Sequence, residues 1–454
     1  MQMPVVAPFR AVRYNPEKVS SLADVVTPPY DVISHEQQES FYASDPHNII
    51  RVELNKKRDS DTAQDNRYTR SAEHFQAWRD AGVLTRDESP SYYLSETTYT
   101  DAEGNQQVRR GFFTMLKVAD PHERKVLPHE KTFTAHKEDR FQLFKAVQAN
   151  ISPIFALYPD DLNEVMTTLD QAKEPEPLND FVDPMGLPQK LYRVSAPEAC
   201  RKVQELMADK VIFIADGHHR YETALNYRNY MRGLHPEAGP EALFNYTLTY
   251  LCSMSDPGLT VFACHRLVPR LDGFGAEDFL ALAKTYFDVR EVELEGDAEA
   301  AKAKLTEALA KADAKSNSLG LISHDTDKAY LLTMKPGAMA GQTGPDVEGP
   351  LAELDVVVLT HLVLDQILGF DNNARDQDHT IRYLADMTHV LQEVKSGRSR
   401  LAFLLNPTKV EQVQAVAEAG LIMPRKATYF YPKVLTGLVI NLLCPDEEAE
   451  GCKG

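Results

Sequence analysis

The chain has 454 residues, of which 43% are hydrophobic and 26% charged, and its formal net charge is −18. That length accommodates two or three domains of ordinary size, and the composition is that of a globular protein. An acidic balance of this size excludes nucleic-acid binding by general electrostatics, which needs a basic surface, but leaves room for a local basic pocket that holds a small anion.

Met1 to Arg10 carries no signal-peptide core, and no later run approaches about 18 unbroken apolar residues, so the expectation is a cytoplasmic protein with no membrane partner. Val5 to Tyr14 reads as an opening strand. Thr27-Pro28-Pro29-Tyr30-Asp31 follows, and its two prolines fix a rigid turn that presents Tyr30 and Asp31 ahead of a helix capped at Ser34. A helix is predicted over Ala63 to Ala81, with Tyr68, Ala72, Phe75 and Trp78 on one face. Ser91 to Thr100 and Gln107 to Val118 read as a hairpin across Asp101-Ala102-Glu103-Gly104-Asn105.

Leu127 to Arg140 packs imidazole, carboxylate, hydroxyl, ammonium and guanidinium groups into one stretch just before an amphipathic helix with Phe141, Phe144 and Val147 on its apolar side. The mixture suits phosphoryl transfer. Lys137 and Arg140 supply cations for phosphate oxygens, Thr132 a hydroxyl, and Glu130, with His129, a proton acceptor, while Asp139 is available for Mg²⁺ or for proton transfer. The plainer alternative is a solvated charged face. Asn150 to Tyr158 returns to a strand. From Pro159 to about Lys190 the chain is acidic and rich in proline, a surface excursion with one short helix at Leu162 to Lys173. Ala196 to Met207 is helical.

Val211 to Leu225 is the centre of the chain's chemistry. Val211-Ile212-Phe213-Ile214-Ala215 is a buried strand, and Asp216-Gly217 turns it into a helix. Asp216 is the expected N-cap, and Gly217 allows a tight turn or a close ligand. His218, His219 and Arg220 then fall in the first helical turn, where the macrodipole disfavours cations. An anion at that end resolves the conflict, because amides, imidazoles and a guanidinium converge on one phosphate. The alternative is a simple cap with solvated histidines. Zinc is disfavoured, because adjacent histidines on a helix point in different directions.

That helix is expected to run to about Met231. Asn245 to Ser253 and Leu259 to Val268 read as paired strands, with His265 and Arg266 at a strand edge or bordering the pocket. Helices are predicted at Ala276 to Tyr286, Asp297 to Lys315 and Val356 to Ile367, a hairpin at Gly320 to Ser323 with Ala329 to Met334, and strands at Leu401 to Leu405 and Gly437 to Leu443. Gly420 to Lys433 mixes prolines, basic residues and aromatics that either clamp a flat anion or wall the core. The cysteines, Cys200, Cys252, Cys264, Cys444 and Cys452, form no Cys-x-x-Cys pair, and their odd number fits reduced thiols. In chain order this gives three parts, 1–158, 159–268 and 269–454, in a mixed α/β (α+β) protein.

Pro8-Phe9-Arg10-Ala11, Pro28-Pro29-Tyr30-Asp31, His129-Glu130-Lys131-Thr132 with Lys137-Glu138-Asp139-Arg140, Asp216-Gly217-His218-His219-Arg220, and Met423-Pro424 to Pro432-Lys433 occur in that order. Together they resemble domain-of-unknown-function family 1015 over essentially the whole chain, which implies a bacterial cytosolic setting and no established reaction. Gly217-His218-His219-Arg220-Tyr221 with Ala224 is also similar to the Gly-x-x-Arg phosphate turn of the ParB and sulfiredoxin superfamily, which includes a free-serine kinase. This local resemblance implies a nucleotide-binding core with an additional α/β C-terminal part. His218 stands where sulfiredoxin has its cysteine, and no helix-turn-helix of the partition proteins can be pointed to. The expectation is a phosphotransferase that uses ATP or ADP with Mg²⁺, in which Asp216 or Asp139 holds the metal, Gly217 to Arg220 bind phosphates, and a small hydroxylated metabolite such as serine is the acceptor. A phosphoester or phosphoanhydride hydrolase and a nucleotide-binding regulator remain open as alternatives.

Overall fold

A computed structural model of the chain describes residues 6–101, 104–132, 134–271, 273–294, 296–313, 316–342, 347–375 and 380–449. Of the positions named above, Met1 to Val5, Ala102, Glu103, Phe133, Lys315 and Cys452 lie outside these. The described residues fall into two compact units: 1–128, 132–260 and 432–454 form the first, 129–131 and 261–431 the second.

The first unit is built on a sheet of nine strands among the described residues. They are β1 (Val6–Ala7), β2 (Tyr92–Thr100), β3 (Gln106–Lys117), β4 (Val126–Leu127), β5 (Ile154–Tyr158), β6 (Asn179–Val182), β7 (Pro188–Val194), β8 (Ile212–Asp216) and β9 (Tyr246–Ser253). Their order is β4-β8-β5-β9-β3-β2-β7-β6, with β1 on β3. The β2–β3 hairpin forms where alternation of aromatic and β-branched residues predicts it. The sheet takes strands from both of the first two expected parts, since β8 and β9 lie against β5 and β3.

Two expectations are corrected here. The acidic, proline-rich stretch after Pro159 contains β6 and β7 as well as a helix, and β7 pairs with β2. Pro188 opens its strand and β6 lies at the sheet edge, positions where a missing amide and alternating exposure are tolerated. The strands at 245–253 and 259–268 do not pair with each other. Instead β9 is inserted between β3 and β5, parallel to β5.

The helices of this unit are α1 (His35–Ser44), α2 (Ile50–Glu53), α3 (Arg67–Asp80), α4 (Thr134–Val147), α5 (Glu164–Ala172), α6 (Pro197–Met207) and α7 (His218–Leu234). Ser34 caps α1 through a reciprocal box with Gln37. Asn66, rather than Ala63, starts α3, because its side chain caps the amides of Tyr68 and Thr69. On one sheet face Phe112, Ile154, Ala156, Ile212 and Ile214 pack with Val165 and Leu169 of α5, Val203 and Met207 of α6, and Tyr221 and Tyr227 of α7. Each such side chain contributes about 1.5–3 kcal/mol on burial.

The second unit carries an antiparallel sheet of β10 (His265–Val268), β11 (Phe287–Glu293), β12 (Ser318–Ser323), β13 (Lys328–Met334), β14 (Arg382–Leu384) and β15 (Leu401–Leu404), in the order β11-β13-β12-β15-β10-β14. The β12–β13 hairpin is the expected one. Strand β11 was not expected: its charged residues alternate outward and leave too weak an apolar signal. The helix expected at 356–367 starts as an α-helix at Asp355–Val358 and continues as a π-helix over Leu359–Ile367. His265 and Arg266 are buried strand residues. The His265 ring nitrogen Nδ1 accepts from the Leu405 amide at 3.2 Å, and the Arg266 guanidinium donates to the carbonyls of Arg425 and Lys426. The surface-edge reading fails because β15 and β14 flank β10 on both sides.

Candidate functional site

The turn after β8 is shaped by a bulge. Ile214 pairs with Ala156 of β5, but the register then shifts and Asp216 pairs with Phe155. Neighbouring residues of a strand face opposite ways, so the extra residue moves Asp216 from the face of Ile214 to the face of Phe155. Gly217 follows at φ +89°, and a Cβ there would lie 2.9 Å from the Arg220 guanidinium. Glycine is required both by that backbone angle and by the close pass of Arg220.

Asp216 is therefore not a side-chain cap of α7, contrary to expectation. Its carboxylate instead receives Arg220 Nη2 at 2.8 Å and Lys433 Nζ at 3.1 Å. Arg220 is buried, and its Nη1 also donates to Ser152 Oγ at 3.0 Å and to the Pro153 carbonyl. Ser152 Oγ is in turn 2.9 Å from Thr436 Oγ1. His218 is 5% exposed, and burial holds its imidazole down at about 3, so it is neutral near pH 7. His219 is half-buried, and its carbonyl accepts from Thr223 Oγ1. The first turn of α7 thus offers amide donors without a side-chain cap, and fixed cations stand beside it.

A second charged cluster lies in the same unit. Glu53, 3% exposed at the end of α2, accepts from Arg140 Nη1 at 3.2 Å through Oε1, and its carbonyl accepts from the same nitrogen at 2.8 Å. The Arg140 guanidinium also donates to Asp139 and stacks 4.2 Å from the Tyr30 ring centroid. Burial pushes the Glu53 carboxyl up, against the pull of Arg140 and Arg220. Burial likewise raises the Tyr30 hydroxyl, which also feels both arginines. Arg140 and Arg220 thus share Glu53 and Tyr30 as electrostatic neighbours. Asp31 is exposed beside it, and the expected rigid Pro28-Pro29 turn carries both Tyr30 and Asp31 on a short 3₁₀ turn.

The remaining expected residues are placed as follows. Thr132 Oγ1 and Lys137 Nζ each donate to Glu222 at 2.7 Å, tying the start of α4 and the segment before it to the second turn of α7. Asp139 accepts from Arg67, Tyr68 and Arg140 and braces α3 against α4. His129 and Glu130 belong to the second unit. His129 is fully buried with Nε2 3.2 Å from Thr428 Oγ1, and Glu130 Oε1 accepts from the Lys426 amide at 3.3 Å. Of the expected residues, Thr132, Lys137, Asp139, Arg140 and Asp216 to Arg220 thus lie in the first unit, and His129 and Glu130 do not.

Glu53 and Lys433 were the residues that sequence reasoning missed in this role. The signal for Glu53 was a carboxylate closing Ile49-Ile50-Arg51-Val52, three of whose four residues are apolar. Lys433 was visible only as one of several basic residues in a proline-flanked segment. Mg²⁺ does not fit the carboxylates expected to hold it: those of Asp139 and Asp216 are each engaged by two cationic side chains. No group of three or more His, Cys, Asp or Glu among the described residues is placed to hold a metal. Nor is any helix among them long and apolar enough to cross a membrane.

A family model described as a protein of unknown function (DUF1015) matches residues 6–357. No curated protein matches the chain. Similar solved structures include a free serine kinase in complex with AMP, at 14% identity, covering 70% of this chain and 86% of that chain with a TM-score of 0.35. A conserved hypothetical protein from Pyrococcus furiosus is 13% identical, with coverage of 73% and 95% and a TM-score of 0.34. SbnI with a C-terminal truncation, from Staphylococcus aureus, is 10% identical, with coverage of 75% and 92% and a TM-score of 0.35. At these scores the likenesses bear on neither the activity nor the ligand of the chain.

Proposed function

The chain belongs to the DUF1015 family, proteins of unknown function, and from that premise we propose that it is a nucleotide-dependent phosphotransferase acting on a small hydroxylated metabolite. One observation carries the reading: a left-handed glycine opens a 17-residue helix that has no side-chain cap, beside two cations held on one aspartate. Uncapped amides and a positive helix end favour a phosphate group. Arg220 and Lys433 add charge-assisted donors at fixed positions.

In this reading the nucleotide phosphates sit at His218, His219 and Arg220, with Lys433 turning from Asp216 to a phosphate oxygen. The acceptor oxygen forms a bond to the terminal phosphorus while the bond to the leaving nucleotide oxygen breaks. ATP leaves as ADP, or ADP as AMP, and the hydroxyl proton passes to a carboxylate. Glu53 takes that proton in place of Glu130, because it lies in the unit that carries the turn and burial raises its carboxyl, which strengthens it as a proton acceptor. Arg140 holds Glu53 and Asp139 holds Arg140. Thr132 and Lys137 orient α7 through Glu222.

The test incubates the protein with ATP or ADP and a panel of hydroxylated metabolites and follows phosphorylated product by mass spectrometry. A phosphorylated metabolite that disappears in Glu53→Gln, with nucleotide binding retained, is the expected result. Nucleotide loss without such a product makes the protein a hydrolase, and binding without turnover makes it a regulator.

A further inference from the structure

The turn Thr27-Pro28-Pro29-Tyr30-Asp31 is fixed at both ends, and all its contacts lie in the first unit. Thr27 exchanges backbone hydrogen bonds with Thr436, whose Oγ1 is 2.9 Å from Ser152 Oγ, and that oxygen accepts from Arg220 Nη1 at 3.0 Å. Thr27 and both prolines are buried, and the two rings leave the backbone little freedom before Tyr30. At the other end the Arg140 guanidinium carbon lies 4.2 Å from the Tyr30 ring centroid, and Arg140 Nη1 donates to Glu53 Oε1. The turn thus runs from the arginine of the Gly217 turn to the arginine that holds Glu53.

The stack on Arg140 uses the ring of Tyr30 and leaves its hydroxyl over. Among the described residues that hydroxyl makes no hydrogen bond. The hydroxyls of Tyr92, Tyr158, Tyr227 and Tyr250 also lack partners, but they are sealed in the core, whereas Tyr30 is half-buried and its neighbour Asp31 is exposed. Burial raises the Tyr30 hydroxyl, and Asp31 and Glu53 add to this against the pull of Arg140 and Arg220. It therefore keeps its proton at any working pH and is available as a donor. A donor held in place beside two guanidinium groups suits an oxygen that carries negative charge. The base and the phosphorus act on the same acceptor oxygen, so the phosphate nearest Glu53 is the one that is transferred.

We propose that the Tyr30 hydroxyl binds the nucleotide by donating a hydrogen bond to an oxygen of its terminal phosphate, and that Pro28 and Pro29 hold it in position to do so. This rests on the phosphotransferase reading for the identity of the ligand, whereas the contact itself is read from binding. AMP, which lacks the transferred phosphate, escapes the contact.

Isothermal titration of ATP, ADP and AMP into the unmodified protein and into Tyr30→Phe tests this. Phenylalanine keeps the ring over Arg140 and removes only the hydroxyl, so thermal melting without nucleotide is unchanged. The Kd of the tighter-binding of ATP and ADP rises about tenfold, the worth of one hydrogen bond to a charged group, and that of AMP does not move. Tyr30→Leu, which also gives up the stack on Arg140, weakens the same nucleotide at least as much. Equal Kd values in the unmodified protein and Tyr30→Phe overturn the proposal. So does a parallel loss for AMP, or a lower melting temperature without nucleotide, the mark of a purely structural tyrosine. If Tyr30→Phe shows the selective loss but the unmodified protein phosphorylates no acceptor, the phosphotransferase reading fails and the hydroxyl contact stands. A chain that binds none of the three nucleotides overturns both.

Discussion

Gly217 shows how one position couples backbone and chemistry. A side chain there would be strained by the positive φ and would press on the Arg220 guanidinium. Gly217→Ala is expected to destabilise the protein by about 1–3 kcal/mol, read as a lower urea midpoint, and to remove the nucleotide response. Arg140 is the sharper case. It sits between Glu53, Asp139 and Tyr30, and its loss leaves the buried Glu53 carboxylate alone. Arg140→Met should destabilise by about 3–5 kcal/mol, whereas Glu53→Gln, which keeps size and a hydrogen-bond acceptor, should do markedly less. Comparable losses in chemical unfolding would mean that the two groups are not paired in solution.

Among the elements, the C-terminal segment after Pro432 has the largest structural consequence for its length. Thr436 pairs with Thr27, Ile440 with Val12, and Asn441 with Asn150, while Val434, Leu435, Leu438, Val439 and Ile440 are buried. Truncation after Tyr431 is therefore expected to abolish cooperative unfolding by circular dichroism, since several side chains worth about 1.5–3 kcal/mol each leave the core together. Elements with local signals were legible in the sequence: the 92–117 hairpin, the capped start of α1, and the β8 turn into α7. What escaped depended on distant partners. Nothing in Asn179 to Val194 announces that β2 will accept β7, and no local pattern tells β9 to join β3 and β5 rather than the next strand. The bulge that turns Asp216 toward Phe155 is likewise a product of pairing, as is the meeting of Glu53 with Arg140 across a large gap in sequence. The Gly217 turn stood out in the sequence because its charges contradict the helix dipole. The assignment of Asp216 as a cap failed because Arg220 and Lys433 engage the carboxylate instead.

At the scale of the whole molecule, buried histidines set the acid side of stability. Burial depresses His218 to about 3 and His265 to about 4, from an ordinary 6.5. Between 6.5 and those values the unfolded chain binds protons that the folded chain does not. Stability therefore falls as pH drops through that window, by up to about 1.4 kcal/mol per pH unit for each histidine. Asp256, which burial pushes up to about 6 from 3.8, acts in the opposite sense between those values, because the folded chain holds its proton more tightly. Urea unfolding at pH 7 and pH 5 isolates the histidine contribution: the stability lost between the two should be smaller in His265→Asn than in the unmodified protein, and an equal loss in both would contradict it. The claim on which the functional account stands is that the Gly217 turn of the native chain holds a nucleotide phosphate. Thermal melting with millimolar ATP and ADP, on the protein and on Lys433→Gln, addresses it directly, because a ligand at a hundred times its Kd adds about 2.7 kcal/mol to the folded state alone. The account predicts a clear rise in melting temperature that Lys433→Gln diminishes, and a folded protein that shows no rise with either nucleotide would contradict it.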